Sequence, residues 1–193
     1  EADFRRDWFK YYEESDIQVS NLNTYMMIDP AISTEKEADF TGIVVISVTV
    51  DGFWYIRDIV RAKVNPQEII NITFNLAEMY HPRKIGLEEV AFQKALGYSF
   101  KDEMRARGRV LPIIAVKPQN RSKDVRIRWL QPLYAAGKIF HRTGLIANRY
   151  LEDELLRFPR GTHDDIIDSL SYGLDLVTKP RDRVEDKSHR YLY

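Results

Sequence analysis

The sequence predicts an α/β fold: a mixed sheet, antiparallel at its start and parallel towards its end, with helices on its faces. Three observations carry this. Strand-like runs at 25–28, 42–50 and 53–60 follow one another, and Asp51-Gly52 supplies a hairpin turn between the last two. After them, helix-period and strand-period segments alternate towards the end of the chain. With 193 residues, 44% of them hydrophobic, the chain can bury one sizeable core.

Taken in order, residues 4–14 carry Phe4, Trp8, Phe9, Tyr11 and Tyr12 among charges and read as a short aromatic helix. The run 25–28 is a buried strand that stops at Asp29-Pro30, because proline cannot donate to a central ladder. Residues 33–40 are polar and form a loop. The run 42–50 is β-branched and apolar almost throughout, a central strand, and 53–60 returns beside it. Pro66 and the spacing of Ile69, Ile70, Phe74, Leu76 and Ala77 predict a helix ending near Tyr80. Residues 84–89 form a fourth strand ending in acids. A helix from Phe92 to Arg107 is closed by Gly108. Residues 110–116 are a fifth strand, followed by a basic loop over 117–123. A helix through Trp129, Leu130, Leu133 and Tyr134 runs to Gly137, then come a short strand at 139–140 and a helix over 149–158. The last helix is expected to be capped by Thr162. Asp164 and Asp165 then fall in its first turn, where the helix dipole favours negative charge.

Composition excludes several chemistries. The 29 basic and 29 acidic residues cancel, so no global field steers the protein to a polyanion. The lack of cysteine removes disulfides, zinc–thiolate sites and thiol nucleophiles, and four scattered histidines do not suggest a histidine-rich metal site. No run is long enough to span a membrane and no signal peptide opens the chain, so an intracellular protein without a membrane partner is expected. The first residue is not Met, which suggests an excised fragment.

The chemistry lies in the acids. Singly, Asp29 is an ordinary turn residue before proline, and Glu88 or Glu89 an ordinary surface acid. Asp164, Asp165 and Asp168 lie on the helix face turned away from Ile167, Leu170 and Leu174, which also suits a solvated surface helix. The joint pattern is more informative. One acid ends the first strand of the meander, another ends the fourth strand, and a pair opens the helix that would pack across them. Carboxylates gathered in this way suit Mg²⁺ or Mn²⁺. Two such ions, about 3.5–4 Å apart, activate water and stabilise the leaving oxygen of a phosphodiester. Lys117, Arg121, Lys123, Arg126 and Arg128 form the densest basic stretch and are the candidate phosphate contacts.

Three segments carry a resemblance. They are Ile28-Asp29-Pro30-Ala31 with Asp39-Phe40-Thr41-Gly42, Gly86-Leu87-Glu88-Glu89-Val90-Ala91-Phe92-Gln93, and Phe158-Pro159-Arg160-Gly161-Thr162-His163-Asp164-Asp165-Ile166-Ile167-Asp168-Ser169-Leu170. Over about residues 24–177 the chain resembles the C-terminal nuclease domain of the large terminase subunit of tailed bacteriophages, an RNase H-like fold. The third segment is the most specific. The resemblance implies catalytic metal ligands at Asp29, Glu88 and Asp165, accessory acids at Asp168 and Asp164, and two Mg²⁺ or Mn²⁺ ions. Glu88 is preferred to Glu89 because it stands five residues before Gln93, as in the family. His163 is read as a structural hydrogen-bonding residue, and Asp39 lies in a loop too long to place.

The implied activity is endonucleolytic cleavage of concatemeric viral DNA during genome packaging, with low sequence specificity. The implied partners are double-stranded DNA, an N-terminal packaging ATPase domain, the small terminase subunit and the portal, in the host cell cytoplasm. No Gly-x-x-x-x-Gly-Lys-Ser/Thr loop is present, so no ATPase activity is expected of this chain. The expected organisation is a linker over 1–23, the nuclease domain over 24–178 and a tail over 179–193. A Holliday-junction resolvase or transposase-like nuclease is the alternative enzyme. A non-catalytic module docking DNA or portal is the alternative of another class.

Overall fold

The computed structural model describes residues 3–18, 21–31, 40–91, 96–117 and 122–177. Asp39, Arg121, Phe92, Gln93 and the expected tail over 179–193 lie outside the described residues. Among the described residues seven strands form one sheet: β1 (Lys10–Tyr12), β2 (Asn23–Asp29), β3 (Thr41–Val48), β4 (Trp54–Ala62), β5 (Lys84–Glu88), β6 (Ile113–Val116) and β7 (Ile139–Arg142). Their order is β1-β7-β4-β3-β2-β5-β6. The meander β2–β3–β4 is antiparallel, and β5, β6, β7 and β1 add to it in parallel.

Strand alternation divides the core in two. Met26 and Ile28 of β2, with Ile43 and Val45 of β3, face α1 (Pro66–Tyr80) and α3 (Gly97–Arg107). Tyr25, Met27, Val44 and Ile46 face the opposite layer. That layer holds α4 (Lys123–Arg128), α5 (Gln131–Ala135), α6 (Asn148–Arg157), α7 (Asp165–Ser171) and α8 (Gly173–Leu176). α2 is a single turn, Glu89–Ala91, that continues β5. No helix among the described residues is long and apolar enough to cross a membrane.

Helix α1 forms where expected, from local chemistry alone. Asn65 and Glu68 make a reciprocal capping box, and Pro66 sits in the first turn, where its missing N–H costs nothing. Gly108 closes α3 in the left-handed conformation, as a C-terminal glycine should.

Three expectations are corrected. Residues 4–14 are not a helix: a 3-10 turn (Arg6–Trp8) leads into β1, which covers the edge of β7. Phe4, Phe9 and Tyr12 are buried there, so the segment contributes to the core. The helix expected through Trp129 to Gly137 is shorter: α4 ends at Arg128 and α5 covers only Gln131–Ala135, because Pro132 can open a helix but cannot continue one. Strand β6 starts after Pro112 instead of at 110, since that residue has no N–H for the ladder.

Candidate metal centre

The carboxyl ends of β2 and β5 bring the first two acids together. Ile28 pairs with Leu87 in parallel register, so Asp29 and Glu88 end their strands side by side. On its other flank Asp29 pairs with Gly42 of β3, and Gly42 pairs with Arg61 of β4. Helix α7 crosses this row. Ser169 Oγ donates to the Met27 carbonyl at 2.8 Å and ties α7 to β2. All seven residues of α7 are buried, which rules out a solvated surface helix.

Thr162 does not cap α7; it lies exposed in the preceding loop. Asp164 holds the N-cap position and makes no side-chain cap bond. The cap comes from α6. Glu154 Oε2 accepts from the N–H groups of Ile166 (2.9 Å) and Ile167 (3.1 Å), two of the donors that a helix start leaves unpaired. Burial pushes the Glu154 carboxyl up to about 7, against the lowering effect of those bonds and with the charge of Asp165 adding to the rise. Arg61 lies between the two acids, 3.3 Å from Glu154 and 3.6 Å from Asp165.

Electrostatics connect the remaining acids. Burial, then the charge of Asp168, raises the Asp29 carboxyl; Lys123 opposes this, and Glu88 and Asp165 add to it, leaving Asp29 at about 7. Asp29 therefore senses Asp168, Glu88 and Asp165. Burial also raises Asp165, with Arg61 and Lys123 pulling the other way. Asp168 is held by Arg126 and lies 3.4 Å from Lys123, whose Nζ is 2.7 Å from Asp164. Burial lowers the Lys123 ammonium, but Asp168, Asp164 and Asp29 outweigh it and raise it.

The described residues make no ready-formed group of three or more ligating side chains that could hold a metal ion. Lys123, Arg126 and Arg61 partner several of the acidic oxygens instead. The donor chemistry nonetheless fits a hard divalent cation. Asp165 Oδ2 is buried and makes no hydrogen bond among the described residues, with Arg61 3.6 Å away, and the half-buried Asp29 lies among like charges that a cation would relieve. Mg²⁺ keeps several of its own waters, so a few carboxylates suffice. Asp29, Glu88 and Asp165 would hold it; Asp168 has one oxygen on Arg126 and the other near Lys123.

The basic stretch is occupied internally. Lys117 pairs with Glu89 at 3.3 Å, Arg128 with Asp3 at 2.8 Å, and Lys123 and Arg126 with the acids already named. His163 packs edge-on against Phe40, with Nδ1 3.9 Å from Asp165. Sequence reasoning missed Gly42, Arg61 and Glu154. Each acts on a neighbour far along the chain: Gly42 stands in a resembling segment that does not mark it as a contact of Asp165, and Arg61 and Glu154 belong to no local pattern.

The family described as Terminase RNaseH-like domain matches residues 26–176. The chain belongs to that family. Solved terminase structures share its fold. The human cytomegalovirus terminase nuclease domain, manganese-soaked and inhibitor-bound, superposes with a TM-score of 0.65 at 10% identity, covering 91% of this chain and 95% of that one. The large terminase nuclease from thermophilic phage G20c, with bound magnesium, gives 0.59 at 15% identity, covering 88% and 93%. The P22 large terminase nuclease domain gives 0.63 at 11% identity, covering 90% and 89%. No curated protein sequence matches the chain significantly. At such identities the structural likeness speaks for the fold, and the RNase H-like mixed sheet expected from the sequence is the one observed.

Proposed function

We propose that this chain is a metal-dependent DNA endonuclease that cuts concatemeric viral DNA during genome packaging. One observation carries the reading. Asp29 ends β2 beside Glu88 and under the start of α7, and its carboxyl is raised to about 7, first by burial and then by the charges of Asp168, Glu88 and Asp165. Carboxylates that are desolvated and face like charges are suited to concentrating cationic charge. Two Mg²⁺ or Mn²⁺ ions would supply Lewis-acid stabilisation and an activated water.

The chain's own residues supply the rest. Asp29, Glu88 and Asp165 present oxygen donors from rigid elements. Gly42 lets Asp165 approach the sheet, and Glu154 and Arg61 hold the start of α7. No feature of the edge suggests base readout, so cleavage has low sequence specificity. The packaging ATPase domain, small terminase subunit and portal are the proposed partners, in the host cytoplasm.

Plasmid cleavage tests the reading. With Mg²⁺ or Mn²⁺ the wild type linearises plasmid, and with EDTA or as Asp165→Ala it does not. DNA binding without cleavage in either metal would replace the enzyme with a non-catalytic docking module.

A further inference from the structure

Resting on that nuclease reading, we propose that the DNA backbone is held by a ledge of cations and aromatic rings beside Asp165, on the β4–α6 side of the acids, and not by the basic stretch at 117–128. The ledge is one connected cluster. The Arg61 guanidinium lies 3.7 Å from the centroid of the Phe40 ring and 5.3 Å from that of Tyr150. Lys63 Nζ lies 5.1 Å from the Phe40 centroid, and Arg149 stacks on Tyr150 at 4.6 Å while donating to its hydroxyl at 2.6 Å. His163 completes the cluster against Phe40. Arg61 ties it directly to Asp165.

Two physical arguments identify the occupant. The first is charge. Lys63 and Arg149 are exposed, and among the described residues neither has a carboxylate partner. The cations at 117–128 that the structure describes are all paired with acids of the chain, so a phosphate would have to displace a carboxylate to reach them. The second is preorganisation. A free lysine or arginine loses rotamer freedom when fixed. Ring contacts already restrict Lys63 and Arg149, so less remains to be lost on meeting a phosphate. A partner with regularly spaced negative charge and no required sequence fits both features, and the position beside Asp165 puts that partner at the proposed site of cleavage.

The test is the salt dependence of binding of a fluorescent random-sequence DNA duplex to the whole chain in EDTA, where no cleavage occurs. Each lost phosphate contact makes the slope of log K against log salt shallower by about 0.9. Lys63→Ala with Arg149→Ala is therefore expected to flatten the slope by about 2, with melting temperature unchanged, while Lys117→Ala with Arg128→Ala leaves it as in wild type. An unaltered slope in the first pair, a flattened slope in the second, or no wild-type binding at low salt overturns the ledge. A separate Mn²⁺ cleavage assay keeps the two ideas apart: wild-type cleavage with an unaltered ledge slope sinks only the ledge. A flattened ledge slope without wild-type cleavage sinks only the nuclease reading.

Discussion

Gly42 and Asp165 meet main chain to side-chain position: a Cβ built on Gly42 would stand 2.3 Å from the Asp165 carbonyl oxygen. Real Cβ atoms do not come so close, and the obstacle is backbone, which cannot rotate away. The third residue of the row that holds Asp29 must therefore be glycine if α7 is to lie across it.

Gly42→Ala is accordingly expected to lift the start of α7 off the sheet. Overpacking of this kind costs about 1–3 kcal/mol, and here it also moves a proposed metal ligand. Thermal melts should show the loss of stability, and Mn²⁺ titrations should show weakened binding. A variant that melts and binds Mn²⁺ like wild type would show that α7 has room to spare.

The metal-free protein should lose stability as pH rises. Asp29 and Glu154 titrate at about 7 in the folded state, against about 4 for carboxyls in an unfolded chain. Between those values the folded state binds more protons, so unfolding free energy falls with increasing pH across that window. Asp29→Asn removes the charged form and should raise the melting temperature near pH 8 while changing it little near pH 4. Equal wild-type and variant profiles in EDTA would mean that the acids do not repel as their positions imply.

Glu154 should matter through position. Glu154→Ala leaves the N–H groups of Ile166 and Ile167 without their acceptor and removes a partner of Arg61. A cost of roughly 2–4 kcal/mol is expected from the unpaired donors and the stranded cation. Glu154→Gln keeps an acceptor oxygen and should recover much of the stability, yet with Arg61 less well held, Mn²⁺ affinity should remain about 10–100-fold down. Full recovery of affinity in the Gln variant would reduce Glu154 to a neutral cap.

The expectations that held rest on local signals. Asp51-Gly52 sets the hairpin between β3 and β4, and Asn65, Pro66 and Glu68 start α1 within their own turn. That Asp29 and Glu88 end their strands is legible because an acid closing an apolar run is visible in one dimension. Strand β1 is not, because it pairs with β7, far along the chain, and three aromatic-rich residues carry no period of their own. The same holds for the cap of α7. Thr162 has the right chemistry at the right spacing, but the preceding loop holds it away, and Glu154 reaches the helix start from a neighbouring helix. Internal pairing of the basic stretch was equally invisible, since Asp3 and Arg128 are joined only by the fold.

Asp168 poses the sharpest question about the centre. Its charge is the largest acidic influence on Asp29, which argues for direct work with the metal. Its oxygens, however, face Arg126 and Lys123, which argues for a role behind the ligands. The two roles differ in size: a lost direct ligand removes a metal site outright, whereas a lost supporting group weakens affinity or activity by about 10–100-fold. Asp168→Asn keeps the shape, strips the charge and leaves the buried Arg126 without its counter-ion, so the fold should also lose stability. Because both oxygens already have cationic neighbours, the supporting role is the expected one. Calorimetric Mn²⁺ titration should then show unchanged stoichiometry with affinity lowered by about 10–100-fold. A lost binding site would make Asp168 a ligand, and cleavage equal to wild type at limiting Mn²⁺ would leave it only the partner of Arg126.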